Sequence, residues 1–241
     1  MRETLEQGLP ALGLETGCIP ALEKFAGMLL ERNKVMNLTA ITKPKDVAAL
    51  HLLDSLSLIP AAGLERGSVV DVGTGAGFPG VPLAIAKPEL TVTLLDSLGK
   101  RVRFLEEVRE ELGLENVACV QARAEEFGQR EMFDWAVSRA VAELPVLCEL
   151  CLPLVKVGGR FLAMKSSHCE EELERAVGAV KILGGKIGWV KDYTIPTTDV
   201  IHRVVCVEKL TPTPGKYPRK FPQIKKQPLS AGQQAQPKNS F

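Results

Sequence analysis

The 241-residue sequence predicts an α/β fold built on a doubly wound parallel sheet, and three observations predict it. First, residues 69–81 read Val-Val-Asp-Val-Gly-Thr-Gly-Ala-Gly-Phe-Pro-Gly-Val, an apolar strand that closes on Asp71 and runs through Gly73, Gly75, Gly77 and Gly80 into a short helix. Glycine tolerates the positive φ of a tight turn and lets a ligand approach the backbone. Second, apolar runs and amphipathic segments alternate regularly from Ser68 onward, the pattern of repeated βα units. Third, the last two apolar runs are separated only by Pro196-Thr197-Thr198-Asp199, so the sheet closes with an antiparallel strand.

Residues 1–63 read as a helical extension. Pro20 opens a helix to about Met36, with Leu22, Phe25, Ala26, Leu29 and Leu30 on one stripe and Glu23, Lys24, Glu31 and Arg32 off it. Asn37-Leu38-Thr39 forms a polar turn, and Asp46 is placed to cap a second helix over 47–58, apolar nearly all round and so buried. His51 and Asp54 share a face of it. That spacing favours a buried His–Asp hydrogen bond pinning the extension to the sheet over a place in the pocket wall.

The main domain, residues 64–209, reads as strand 68–72, helix 80–87, strand 90–95, helix 99–112, strand 116–121, strand 133–138 and helix 143–155. Gly158-Gly159 then turns into strand 160–165, followed by helix 169–183 and strands 187–195 and 201–208. The remaining 210–241, rich in Pro, Lys and Gln, is too polar to pack alone and is expected to be extended or disordered, at least beyond Leu229.

With 45% hydrophobic and 24% charged residues the chain has ample material for a core. No apolar run approaches the roughly 18 residues a membrane span needs. Residues 1–14 carry two acids and no signal-peptide core, so a cytoplasmic protein without membrane partners is expected. Six cysteines in that compartment are expected to be free thiols. Cys148-x-x-Cys151 has no second pair and no nearby His, and no metal site is predicted. The net charge of +1 hides an asymmetry: residues 209–241 hold seven Lys and Arg and no acid, leaving a net of −6 elsewhere. An acidic body with a basic tail suits an enzyme that holds a polyanion.

Gly75-x-Gly77-x-x-Gly80 formally fits a dinucleotide fingerprint. Asp71 argues against nicotinamide binding, because that position is usually apolar there. A second strand ends on Asp96, where an acid that holds a ribose diol belongs. The pattern Asp-x-Gly-x-Gly-x-Gly with a later acid at a strand end looks like binding of S-adenosylmethionine in a class I, Rossmann-like methyltransferase fold. Strand ends at Gly73–Phe78, Asp96, Ala124-Glu125 and Ser138-Arg139 converge on one crevice. The glycine turn is expected to pack on the methionine part, Asp96 to hold the ribose, and Ala124 and Glu125 to meet the adenine, with Asp71 a further candidate for cofactor binding. Ser138-Arg139-Ala140 differs from the Asp/Asn-Pro-Pro that holds exocyclic amines, and no Cys stands there for covalent attack on a pyrimidine. An acceptor with its own lone pair, such as guanine N7, remains, with Arg139 binding the base, a phosphate or the cofactor carboxylate. Lys100, Arg101, Lys165, Arg219 and Lys220 are candidate RNA contacts.

The sequence resembles the glucose-inhibited division B family of ribosomal small-subunit methyltransferases. The resemblance rests on Asn37-Leu38-Thr39-Ala40-Ile41, His51-Leu52-Leu53-Asp54-Ser55-Leu56, the turn Asp71–Gly80, Leu95-Asp96-Ser97-Leu98-Gly99-Lys100-Arg101, Arg123-Ala124-Glu125-Glu126, Ser138-Arg139-Ala140 and Tyr217-Pro218-Arg219-Lys220. It implies methyl transfer from S-adenosylmethionine to N7 of a guanosine in the decoding-region loop of 16S rRNA, on the free RNA or the small ribosomal subunit. It implies cofactor contacts at Gly73, Phe78, Ala124, Glu125 and Arg139. A monomer is expected. One departure stands out: Phe221-Pro222 replaces the small residue and Gly that usually follow Pro-Arg-Lys in that family. A methyltransferase for small molecules or proteins, and a non-enzymatic RNA-binding module, are the competing readings; the basic tail argues against the first and the cofactor crevice against the second.

Overall fold

The computed structural model describes residues 1–139 and 142–230; Ala140 of the Ser-Arg-Ala motif and Lys238 of the basic tail lie outside the described residues. The N-terminal extension consists of α1 (Arg2–Ala11), α2 (Ile19–Met36), α3 (Pro44–Val47), a π-helical stretch at Ala48–Leu53, α4 (Asp54–Leu56) and α5 (Leu58–Ala62). The single helix expected over 47–58 is therefore broken. Pro44 opens it instead of an Asp46 cap, because its fixed φ suits the first helical position. The π stretch carries His51. Such widened turns are uncommon and concentrate at functional sites.

The βα units follow as β1 (Gly67–Val72), α6 (Gly80–Ala86), β2 (Leu90–Asp96), α7 (Gly99–Leu112), β3 (Val117–Gln121), β4 (Phe133–Arg139), α8 (Leu144–Cys151), β5 (Val155–Ser166), α9 (Glu170–Ile182), β6 (Gly185–Thr194) and β7 (Ile201–Lys209). They form a seven-stranded sheet in the order β3-β2-β1-β4-β5-β7-β6. Strands β1 to β5 pair in parallel, and β7 inserts antiparallel between β5 and β6. The expected closing antiparallel strand is present. Gly158-Gly159 lies within β5 instead of before it, at an irregularity in the pairing with β4. Gly158 takes φ +88° there, and a Cβ at Gly159 would sit 2.6 Å from the Asp134 carbonyl.

The sheet is covered on both faces. One core joins Phe25 and Leu29 of α2, Leu52, Leu53 and Leu56, and Val81, Phe104 and Leu105 with β1, β2 and β7. The stripe on α2 therefore packs as its period requires, burying Leu22, Phe25, Ala26 and Leu29. The second core joins Leu144, Leu147 and Cys151 of α8 and Ala176 and Ala179 of α9 with the other sheet face.

The tail as far as Leu229 departs from the extended expectation. Tyr217, Ile224 and Leu229 are buried in the second core, and α10 (Phe221–Lys226) lies near α8. Arg219 explains how so polar a segment docks. Its guanidinium donates to both oxygens of Glu149, at 2.8 and 2.6 Å, and its backbone N–H donates to the same carboxylate at 2.9 Å. Glu149 is fully buried on α8. Counting Pro, Lys and Gln misses this, because it registers neither the few apolar side chains that become buried nor the pairing of Arg219 with a distant carboxylate.

Candidate active site

β1 ends in the middle of the sheet, next to β4, where the chain changes winding direction; such a switch point leaves a crevice at the strand ends. Asp71 is fully buried there. Its Oδ2 accepts from the Thr74 hydroxyl at 2.7 Å and the Gly80 N–H at 2.8 Å, pinning both ends of the glycine turn. Oδ1 is buried with no hydrogen-bond partner. Burial pushes this carboxyl up to about 6 against the opposing pull of its Thr74 and Gly80 bonds.

The turn glycines divide in role. Gly73, Gly75 and Gly77 all take positive φ, at +71°, +61° and +101°. Gly73 and Gly75 line the cleft, and the nearest atom to a Cβ at Gly75 would be 3.9 Å away. Gly77, grouped by its spacing with the cofactor contacts, instead faces the core. A Cβ there would lie 2.7 Å from Val81 and 2.9 Å from Leu105. Asp71 likewise acts behind the turn and does not line the cleft.

The cleft measures about 900 Å³ and takes in Thr39, His51, Asp54, Gly73–Ala76, Phe78, Asp96, Arg101, Arg139, Lys165 and His202. A side pocket of about 150 Å³ shares Gly73, Asp96 and Ser97 with it and continues to Ala124, Glu125, Leu150 and Phe221. Asp96 stands where the two meet. Its Oδ2 accepts from the Gly75 N–H at 3.0 Å and its Oδ1 from the Leu98 N–H at 2.9 Å, while Arg101 approaches Oδ2 at 3.3 Å. The sequence-predicted positions Gly73, Gly75, Phe78, Asp96, Ala124, Glu125 and Arg139 are thus brought to two adjoining cavities that share the wall at Gly73, Asp96 and Ser97.

Arg139, the last residue of β4, is tied to the π-helical stretch and to the start of α4. Its Nη1 donates to Asp54 Oδ2 at 2.9 Å, its Nη2 lies 3.2 Å from His51 Nδ1, and its guanidinium carbon sits 4.8 Å from the Phe78 ring centre. His51 and Asp54 do not bond to each other as their spacing suggested; Arg139 bridges them, and both line the cleft. The wider π turn places His51 over Phe78, with ring centres 4.6 Å apart and 24° between planes. His51 Nε2 is 2.7 Å from the Thr39 hydroxyl. A neutral ring that accepts from Arg139 and donates to Thr39 satisfies both nitrogens. Burial, followed by the charge of Arg139, lowers the His51 pKa to about 4.

Asp54 also receives the Tyr193 hydroxyl at 2.7 Å and His202 Nδ1 at 2.8 Å. Burial pushes its carboxyl up, but His202, Arg139 and Tyr193 together outweigh burial and hold it below the ordinary range. Neither Tyr193 nor His202 was singled out by the sequence. They stand on β6 and β7, and only the antiparallel pairing Tyr193↔His202 brings them together.

The basic candidates separate by exposure. Lys100 and Lys220 are exposed, and Arg101 is half-buried beside Asp96. Lys165 lines the cleft but pairs with Glu172 at 2.6 Å and with the Ala142 carbonyl at 3.1 Å. Arg219 departs from the expected RNA contact, since Glu149 and the Gln227 carbonyl take up its guanidinium. Among the described residues no group of three or more His, Cys, Asp and Glu is placed to hold a metal ion, and no helix is long and apolar enough to cross a membrane.

Comparison with known proteins gives a concordant set of matches. A family model described as GidB, rRNA small subunit methyltransferase G, matches residues 18–196. The ribosomal RNA small subunit methyltransferase G of Alkaliphilus metalliredigens is 49% identical over 232 residues, 93% of this chain and 97% of its own. That of Alkaliphilus oremlandii is 48% identical over 236 residues, 95% and 99% of the two chains. Among solved structures, a SAM-dependent methyltransferase from Aquifex aeolicus superposes with a TM-score of 0.51 at 19% identity, covering 68% of this chain and 93% of that one. That likeness speaks for the fold, the class I Rossmann-like methyltransferase sheet.

Proposed function

Since the chain belongs to the GidB family of ribosomal RNA small subunit methyltransferases, we propose that it methylates N7 of a guanosine in the decoding-region loop of 16S rRNA, with S-adenosylmethionine as donor. The observation that carries this reading is the cavity itself: a large cleft open to substrate, a small side pocket, and Asp96 between them.

The residues present fit the donor. Ala124 and Glu125 in the side pocket would hold its adenine, Asp96 its ribose hydroxyls, and Gly73–Gly75 its methionine portion. The unpartnered Oδ1 of Asp71 behind that turn favours a ligand carrying positive charge. When bound, the donor supplies a methyl group on a sulfonium, a good leaving group.

The acceptor the cleft has to present is guanine N7, whose own lone pair would take up that methyl group without a covalent bond to the protein. No proton has to leave. Among the described residues no Cys lines the cleft and both ring nitrogens of His51 are engaged, while His202, paired through Nδ1, has no role in this step. Catalysis is then mainly positioning, which can supply on the order of 7–11 kcal/mol. Arg139, held rigidly by Asp54 and His51, orients the base or its phosphate with whatever donors those bonds leave free. Lys100 and Lys220 contact phosphates, which position without selecting sequence. A loop guanosine is the accessible target, since RNA bases are read where they are unstacked. The reading places the protein in the cytoplasm, acting as a monomer.

The test is incubation with labelled S-adenosylmethionine and unmodified 16S rRNA or small subunits, followed by borohydride and aniline cleavage at N7-methylguanosine. A single cut in the decoding-region loop is expected. Label in RNA that resists cleavage would overturn the N7 assignment, and absence of label in RNA would overturn the substrate.

A further inference from the structure

The small side pocket is walled on one side by a residue from the far end of the chain. Phe221 lines it together with the Ala124-Glu125 turn and Leu150 of α8. It is half-buried and packs against the same apolar core as Ala122 and Ala124.

The placement is held firmly. Arg219, two residues earlier, is locked to Glu149, and Glu149 is the neighbour of Leu150 in the pocket wall. Arg130 donates to the carbonyls of Thr213, at 3.0 Å, and Tyr217, fixing the approach of the segment. Ile224, one turn further on, is fully buried. The segment thus carries an aromatic ring to a pocket whose other walls are aliphatic or polar, and anchors it on both sides.

We propose that Phe221 forms the aromatic wall of the adenine pocket, so that the C-terminal segment is part of the cofactor site. This rests on the reading of the side pocket as the adenine site. Every base has a π face, and stacking on an aromatic side chain contributes about 1–3 kcal/mol per base, which corresponds to roughly 5- to 150-fold in affinity. The segment's flanking Lys220, Lys225 and Lys226 are exposed. One short stretch therefore offers its ring to the cofactor and its charges to a polyanion.

The test is titration calorimetry of the full chain with S-adenosylmethionine and with 5′-methylthioadenosine, which keeps the adenosine and lacks the amino-acid portion. Phe221→Ala is expected to weaken both by a similar factor of about ten or more, with Phe221→Tyr restoring wild-type affinity. In turnover assays the KM for S-adenosylmethionine rises while the KM for RNA changes little. Phe221→Leu keeps the apolar contact with the core and guards against loss of fold; it too is expected to bind both ligands more weakly. Unchanged affinities in Phe221→Ala or Phe221→Leu would overturn the proposal. So would a loss confined to S-adenosylmethionine, because the ring would then not be acting on the adenine. If the wild-type chain binds neither ligand, the cofactor reading fails instead.

Discussion

Arg139 Nη1 lies 2.9 Å from Asp54 Oδ2, joining the end of a central strand to the N-terminal helical extension. Asp54 is almost fully buried and the Arg139 side chain is 14% exposed, so the pair is held in a poorly screened environment. Arg139→Ala is expected to lower kcat/KM by at least about 100-fold, since misplaced reacting groups carry such costs. Tyr193 and His202 remain to satisfy Asp54, which limits the loss of stability to about 1–3 kcal/mol. Methyl-transfer assays beside thermal melts check both halves; unchanged turnover would remove Arg139 from the mechanism.

Two groups at the site oppose each other in pH dependence. The carboxyl of Asp71 is raised from 3.8 to about 6, so its stabilising protonated form is fully present below 3.8 and lost as pH rises through 6. The imidazole of His51 is lowered from 6.5 to about 4, so its contribution is fully present above 6.5 and lost as pH falls through 4. Each is worth up to about 3 kcal/mol, and over the shared window they nearly cancel. Asp71→Asn is expected to leave stability rising with pH between about 4 and 6.5, and His51→Gln to leave it falling between about 4 and 6. Urea titrations across this range would show the two slopes, with the wild type flatter than either.

The glycine turn separates binding from packing. Gly75→Ala meets open space and bears mainly the cost of φ +61°, about 1–2 kcal/mol, while placing a methyl group on the cleft wall. Gly77→Ala adds collisions with Val81 and Leu105 to φ +101°. The first is expected to lose more cofactor affinity than stability, and the second mainly stability, by about 3 kcal/mol or more. Calorimetry and melting curves on the two variants distinguish the outcomes.

Arg219 and Lys220 are neighbours with opposite expected behaviour. Arg219→Ala leaves the buried Glu149 carboxylate without its partner, at a cost of about 3–5 kcal/mol. Lys220→Ala, like Lys100→Ala, is expected to leave the melting temperature unchanged and to flatten the log–log salt dependence of RNA binding by about 0.7. A salt titration of RNA affinity, read beside melting curves, tests the pair.

The alternation of elements was legible because each βα unit is local: Asp71, the glycine turn and Asp96 announce themselves within a few residues of their strands. The strand-end residues also fell together as the topology of a doubly wound sheet demands. What was illegible is non-local. His51 and Asp54 are three apart, and helical spacing cannot reveal that a guanidinium from β4 comes between them. Tyr193 and His202 become neighbours only through antiparallel pairing. Glu149 sits in the apolar row of α8 with nothing nearby to say that residue 219 will neutralise it. Gly77 fits the binding pattern in sequence, yet it is needed to let Val81 and Leu105 close in.

The lock between Glu149 and Arg219 spans 70 residues, so it couples two distant stretches of the chain. With Glu149 fully buried, closing α8 over its carboxylate is costly unless the guanidinium is in place. Burial of the α8 flank and docking of the segment that carries Arg219, Phe221 and Ile224 are therefore one cooperative event: loosening the segment exposes the carboxylate, and α8 loses its cover with it.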